Sequence, residues 1–336
     1  MYVSIALARA VVSEVERRGK PVDQLLRQAD LPAWRFDDPR GELTIVDYER
    51  LILAAVDLLD DPAAGLRAGY HAPAGAAHLV GFVLVNSRTL RDALTLFRRY
   101  APLVVEGVGC ELEERGDEGC FRCAHPDLGV GAARFATELL LGYLAARMNP
   151  HFFGGDARIR ELRLTGPRPR NAAEVEELLG IPLTWGAEHN ELLFDRSALD
   201  VSQRHADAWV CQLMCDKAER MLGERQTAER LRLRVKDSFK YQVQLGRPDN
   251  EAVASALGLS ARTLRRRLAR LGYTFRDLVD EARQELACDA LQRPDSSIKE
   301  VAYTLGFAEP SAFHRAFKRW TGVTPREFQT QAVMAH

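Results

Sequence analysis

Between Ile298 and Phe328 the chain reads IKEVAYTLGFAEPSAFHRAFKRWTGVTPREF, and its apolar spacing admits few folds. Ile298, Val301, Ala302 and Leu305 recur at the three- and four-residue steps of an amphipathic helix. Gly306-Phe307 supplies a turn. Phe313, Phe317 and Trp320 then place a second apolar stripe on a second helix, with basic residues on its outer side. Two short helices joined this way form a helix-turn-helix, and an outward basic second helix suits the major groove of duplex DNA.

A similar pattern, PDNEAVASALGLSARTLRRRLARLG, lies about fifty residues upstream. Asn250 is placed to cap a helix carrying Val253, Ala254 and Leu257, Gly258 makes the turn, and Ser260 caps the next helix. Leu264 and Leu268, four apart, turn toward the core, which leaves Arg262, Arg265 and Arg266 on the opposite side. Arginine there bonds bidentately to guanine O6 and N7 or reaches phosphates, and Ser260 and Thr263 suit phosphates. The rival reading, an ordinary solvated basic face, is disfavoured by the position directly after a capped turn.

In the second unit Glu309 or Ser311 caps the reader helix, and Pro310 suits its first turn. Ser311 and Arg315 face outward near the helix start, where base edges would lie. Lys318 and Arg319 are better placed for phosphates. Between the units, Phe275 to Leu291 reads as one helix with Leu278, Ala282, Leu286 and Ala290 inward. Its length is about 25 Å at 1.5 Å per residue. With the flanking helix bodies, that separates the two readers by roughly one turn of DNA, about 34 Å.

The remaining two thirds of the chain have a different character. From Glu229 onward 19 Lys and Arg stand against 13 Asp and Glu, although the whole chain carries a net charge of −1. A basic C-terminal part on an acidic N-terminal part fits a DNA-binding module joined to a regulatory domain. A chain of 336 residues can form two domains, each with its own core. Arg9, Glu14 and Glu16 break the apolar N-terminus, which has neither a basic leader nor a cleavage site. It reads as an amphipathic helix of a cytoplasmic protein, and no uninterrupted apolar run is long enough for a membrane span.

The N-terminal part mixes helix and strand signals. Residues 3 to 30 read as two helices, the second started by Pro21, and Thr44 or Asp47 opens a third that ends at Asp60-Asp61-Pro62. Leu79 to Asn86 is an apolar run, and Thr89 to Tyr100 and Phe135 to Met148 read as helices. Val104 to Glu114, Gly119 to His125, Arg158 to Thr165 and Glu191 to Phe194 read as strands, and Ala172 to Leu179 as a helix. Residues 205 to 222 and 228 to 244 read as two helices parted by Gly223. The expected fold is therefore an α+β regulatory domain followed by an all-α DNA-binding domain, whose two helix-turn-helix motifs are joined by a long helix.

Catalytic and metal signatures are weak. Cys120-Phe-Arg-Cys123 is a lone CxxC with strand-like alternation, and no second CxxC or His pair completes a zinc set. Cys211 and Cys215, one helical turn apart, admit a metal or redox role, with buried packing preferred. His71, His78, His125, His151 and His189 are scattered, and Gly154-Gly155 is a lone turn. No GxSxG, HExxH or P-loop is present. No enzyme activity, cofactor or metal is expected.

Residues 229 to 330 resemble the DNA-binding domain of the AraC/XylS family of bacterial transcription regulators. The resemblance rests on Ile298-Lys-Glu-Val-Ala302, Leu305-Gly-Phe307, Ser311-Ala-Phe313, Arg315-Ala-Phe-Lys318 and Gly322-Val-Thr-Pro325-Arg-Glu-Phe328. It rests also on Leu259-Ser-Ala-Arg-Thr-Leu-Arg-Arg-Arg-Leu268. It implies about seven helices, promoter binding and contact with RNA polymerase. By position, Arg262, Arg265 and Arg266 match the base-reading face of the family's first reader, and Pro310, Ser311 and Arg315 that of the second.

Asp61-Pro-Ala-Ala-Gly-Leu66, the segment from Gly81 to Tyr100, and His189-Asn190-Glu-Leu-Leu-Phe194 resemble the branch whose effector domain is labelled arabinose-binding. That resemblance implies a pocket for a small-molecule effector. Phe82, Leu84, Phe97, Tyr100, Phe135 and Leu139 are its candidate walls, with plain core as the rival reading. His78, Tyr100, Arg134 and Trp185 are its candidate polar anchors. The implied organisation is an effector domain over 1–204, a helical connector over 205–228 and a DNA-binding domain over 229–330. The two motifs would lie at about 250–270 and 298–320. A homodimer and transcriptional activation are further expectations. An enzyme with a DNA-binding tail and a ligand-independent architectural binder are the alternatives.

Overall fold

Short strands and capped helices alternate from the first residues onward. β1 (Tyr2–Ser4) leads into α1 (Ile5–Arg17), α2 (Val22–Gln28) follows Pro21, and β2 (Glu42–Thr44) leads into α3 (Ile45–Leu59). Each strand ends on a capping hydroxyl. Ser4 Oγ accepts from the Ala6 N–H at 3.3 Å, and Thr44 Oγ1 accepts from the Asp47 N–H at 3.1 Å, so Thr44 rather than Asp47 opens α3. β1 and β2 pair antiparallel. The computed structural model describes residues 1–148, 159–246, 249–293 and 296–334. The sequence features at His151, Gly154-Gly155 and Arg158 lie outside these residues.

The described chain divides into two compact units, Met1–Leu222 and Gly223–His336. In the first, α4 (Ala64–His71), α5 (His78–Asn86) and α6 (Leu90–Tyr100) are followed by β3 (Gly109–Arg115), β4 (Glu118–Ala124) and α7 (Val130–Arg147). Then come β5 (Ile159–Leu164), α8 (Ala172–Leu179), β6 (Leu183–Trp185) and β7 (Glu191–Asp195). Five strands form one sheet in the order β3-β4-β7-β5-β6, with β5 and β6 parallel and the other pairs antiparallel. Phe121, Leu192 and Leu162 stand in register, are fully buried, and meet the helices where Phe97 of α6 packs edge-on to Phe121.

The strand expected from Val104 begins only at Gly109, because Val105 bridges to Val3 of β1 instead. α4 and α7 cross so closely that a Cβ on Gly69 would lie 1.9 Å from the Leu139 carbonyl oxygen. Only a residue without a side chain fits there.

α9 (Ala208–Gln244) corrects the expectation of two helices parted at Gly223, since one helix of 37 residues runs through that position. A mid-helix glycine costs only about 1 kcal/mol relative to alanine, and the Ala-, Leu-, Arg- and Glu-rich flanks outweigh it.

The second unit is all helical. Val235, Phe239 and Val243 from the end of α9 enter its core beside α10 (Asn250–Ala256), α11 (Ala261–Arg270) and α12 (Phe275–Leu291). α13 (Ile298–Thr304), α14 (Pro310–Thr321) and α15 (Pro325–Met334) complete it, giving the seven helices expected with α9 included. Asp249, not Asn250, caps α10: its carboxylate accepts from the Glu251 and Ala252 N–H groups at 2.7 Å each. The turns between α10 and α11 and between α13 and α14 hold Gly258 at φ 70° and Gly306 at φ 80°, a left-handed backbone that favours glycine.

Candidate nucleic-acid interface

The first reader, α11, is set by its cap and its two leucines. Ser260 Oγ accepts from the Thr263 N–H at 3.2 Å and donates to Thr263 Oγ1 at 2.9 Å. That hydroxyl is therefore engaged as a cap. Leu264 and Leu268 are buried. Arg262, Arg265 and Arg266 are exposed on the other side, and no carboxylate among the described residues pairs with them. With Ala269 they follow the i, i+3, i+4, i+7 spacing of one helix face. Arg265 also lines an open groove of about 560 Å³ with Tyr273, Arg276 and Arg283, between α11 and the start of α12.

α14, the second reader, begins at Glu309 without a side-chain cap bond, and Pro310 occupies its first turn. Ser311 Oγ donates to Glu309 Oε2 at 3.1 Å. Phe313 and Phe317 are fully buried, and Trp320 packs against the same core. Ser311, His314, Arg315 and Lys318 form the exposed face. His314 was missed from the sequence, although its position three residues after Ser311 already places it there. Arg319, expected at a phosphate, holds Asp280 of α12 at 2.9 Å with its guanidinium while remaining 58% exposed.

Some other cations of the unit are engaged internally. Arg232, Lys236 and Lys240 on α9 form a ladder with Glu281 and Glu285 on α12. Burial works against ionisation of Glu285, but hydrogen bonds from Lys236 and Lys240 hold its carboxyl below the ordinary value. Among the described residues, exposed guanidinium groups without an ion pair stand on the reader faces and beside them at Arg267, Arg270 and Arg276, and also at Arg230, Arg234, Arg293 and Arg326.

Two family models match. The arabinose-binding domain of AraC transcription regulators, N-terminal, covers residues 19–202, and a helix-turn-helix domain covers 253–331. The chain belongs to the AraC family of transcription regulators. A relative of this AraC-type chain, the ornithine utilization regulator of Pseudomonas aeruginosa, is 28% identical over 97% of this chain and 96% of that protein. An uncharacterized HTH-type transcriptional regulator of Mycobacterium tuberculosis is 28% identical over 96% and 94%. The crystal structure of the transcriptional regulator CdpR from Pseudomonas aeruginosa covers 96% of this chain and 97% of its own, at 21% identity and a TM-score of 0.46. The AraC-type chain is thus a DNA-binding transcription regulator, and no helix among its described residues is long and apolar enough to cross a membrane.

The candidate effector residues of this AraC-type protein lie on α5, α6, α7 and β6. Phe97 and Leu139 line a cavity of about 20 Å³ with His125 and Tyr143, room for about one water molecule. Leu84 and Phe135 are buried core, Phe82 is 43% exposed, and Trp185 ends β6 half-buried. His78 starts α5 with a left-handed φ of 51°. Arg134 donates to Glu138 at 2.7 Å on its own helix. Tyr100 is buried and donates to Glu219 of α9 at 2.7 Å; Arg99 pairs with the same carboxylate at 2.6 Å. Burial pushes His125 down to about 4, so it is neutral beside Thr137 Oγ1 at 3.1 Å. The cysteines are free thiols: Cys120 and Cys123 sit on β4, and Cys110 Sγ lies 3.7 Å from Cys123 Sγ.

Proposed function

We propose that this chain is a cytoplasmic regulator that reads two successive major grooves of promoter DNA and responds to a small molecule. Residues 1–204 would sense, 205–228 connect and 229–330 read. The observation carrying the DNA-reading half is the distribution of positive charge. Two helices, each following a glycine turn, present exposed basic side chains, whereas Arg232, Lys236 and Lys240 of α9 face carboxylates of α12. Arg262, Arg265, Arg266, Ser311 and Arg315 would contact base edges. Thr263 and Lys318 would contact phosphates, with Ser260 holding the first reader's start and Arg319 shared between Asp280 and a phosphate. The protein acts as an activator through RNA polymerase, with a homodimer as its working state, and catalyses no reaction.

The effector half rests on the family match over residues 19–202. One relative is named for ornithine utilization, which makes amino acids the first compounds to test. Selection of bound duplexes from a random pool, followed by gel shift with and without an amino-acid panel, tests both halves. Enrichment of one motif with two half-sites about ten base pairs apart is expected, with affinity changed by a panel member. Enrichment without any response would favour ligand-independent binding, and no enrichment would overturn the DNA-reading assignment.

A further inference from the structure

The second unit holds two reader helices that both pack on α12, and one α12 side chain lies between α9 and the turn before the second reader. Arg283 is 21% exposed in its side chain. Its guanidinium carbon lies 5.3 Å from the ring centre of Phe239, a fully buried residue of α9 in the core that also holds Val253 and Leu264. It lies 5.0 Å from the ring centre of Phe307, in the turn before the second reader. Both distances fall within cation–π range. Its Nε donates at 3.1 Å to the carbonyl of Leu305, the residue closing α13, so it satisfies a helix-end acceptor the backbone leaves open.

Two connections extend this contact. Phe307 packs on Phe313 at 5.5 Å and on Trp320 at 6.1 Å, both on the second reader. One turn before Arg283, Asp280 lies 3.7 Å from Arg283 and 2.9 Å from Arg319 at the far end of that reader. Arg283 also lines the groove that Arg265 of the first reader enters. A planar guanidinium with a fixed fork of donors can stack on rings and hold a carbonyl at once, which an ammonium cannot.

We propose that Arg283 is a positioning residue that fixes the second reader relative to the first and thereby sets the half-site spacing the protein accepts. The proposal rests on the two-groove reading above. Each base pair inserted between half-sites moves the second by about 3.4 Å and turns it by roughly 35° about the DNA axis. Readers held in one geometry are sensitive to that change, and readers joined loosely are not.

The test uses the full chain and the duplex enriched from a random pool. Spacing variants carry one or two base pairs more or fewer between the half-sites, and a further duplex carries the first half-site alone. Wild type is expected to bind the selected spacing at least about tenfold more tightly than the one-base-pair variants. R283M keeps an apolar stem but loses the donor and the charge, and should lower that ratio to within about threefold. Its affinity for the single half-site should stay at the wild-type value, a result that general damage to the domain would not give. R283K should fall between. A wild-type spacing ratio in R283M overturns the proposal, as does a wild type indifferent to spacing or a loss of single-site binding equal to the loss on the full duplex. If melting curves show R283M unfolded, R283K decides by the same criteria. Failure to enrich any duplex instead overturns the DNA-reading assignment, and this proposal with it.

Discussion

Glu138 accepts a hydrogen bond from Arg134 Nε at 2.7 Å, one turn earlier on α7, yet its carboxyl is pushed up to about 7. Burial outweighs the partner, because the carboxylate is 2% exposed and Asp61 adds a like charge nearby. The guanidinium, less buried, offsets only part of that desolvation.

The folded state therefore holds this proton more tightly than the unfolded chain, whose ordinary value is 4.5. The stability it contributes is complete below pH 4.5 and is lost as pH rises to about 7. Glu138→Gln should match wild type at pH 5 and exceed it by about 1–3 kcal/mol at pH 8. Urea denaturation at the two pH values checks this. A variant less stable than wild type at pH 8 would show that the ion pair dominates.

Arg265→Ala and Arg315→Ala should each weaken binding to the selected duplex by about 1–3 kcal/mol and relax the preference at one base position. Arg319→Ala should lose less than Lys318→Ala, since Arg319 is shared with Asp280 and no described carboxylate lies within ion-pair distance of Lys318. Gel-shift titration of the four variants orders them, and equal affinity of both Arg265→Ala and Arg315→Ala with wild type sinks the base-reading assignment.

Gly69→Ala should destabilise the first unit by about 3 kcal/mol, because the new methyl meets backbone atoms of α7 on two sides. Differential scanning calorimetry of the full chain is the measurement. An unchanged transition would mean that α4 and α7 lie further apart than described.

Gly223→Ala should do the opposite. A Cβ there meets nothing within 4 Å, and the residue lies inside α9, so alanine should add about 0.5–1 kcal/mol and some helicity. Circular dichroism and melting together check it, and a loss of stability would restore Gly223 as a break between two helices.

The second unit was legible because its signals are local. Caps, turn glycines and apolar steps of three and four all lie within a few residues of what they determine, and Leu264, Leu268, Phe313 and Phe317 are buried as their spacing requires. What its pattern left unseen is local or distant in equally physical ways. Two neighbouring residues, Asp249 and Asn250, are both good caps, and only the chain's path chooses between them. Arg319 meets a carboxylate 39 positions away, which no helical pattern reveals. The first unit was harder to read because its candidate pocket residues are apolar, and apolar side chains mark core and cavity alike. Tyr100 turns toward a residue 119 positions later, and Arg134 toward its own helix.

The α9–α12 ladder bears on how the protein should respond to ionic strength. DNA binding releases condensed counterions only where a free cation replaces them at a phosphate, with a slope of about 0.9 per phosphate. Arg232, Lys236 and Lys240 already face glutamates, so they displace none. A tally of every Lys and Arg after Glu229 therefore overstates the salt dependence of binding. The thermodynamic charge of this reader is smaller than its formal charge by the cations that glutamates already hold.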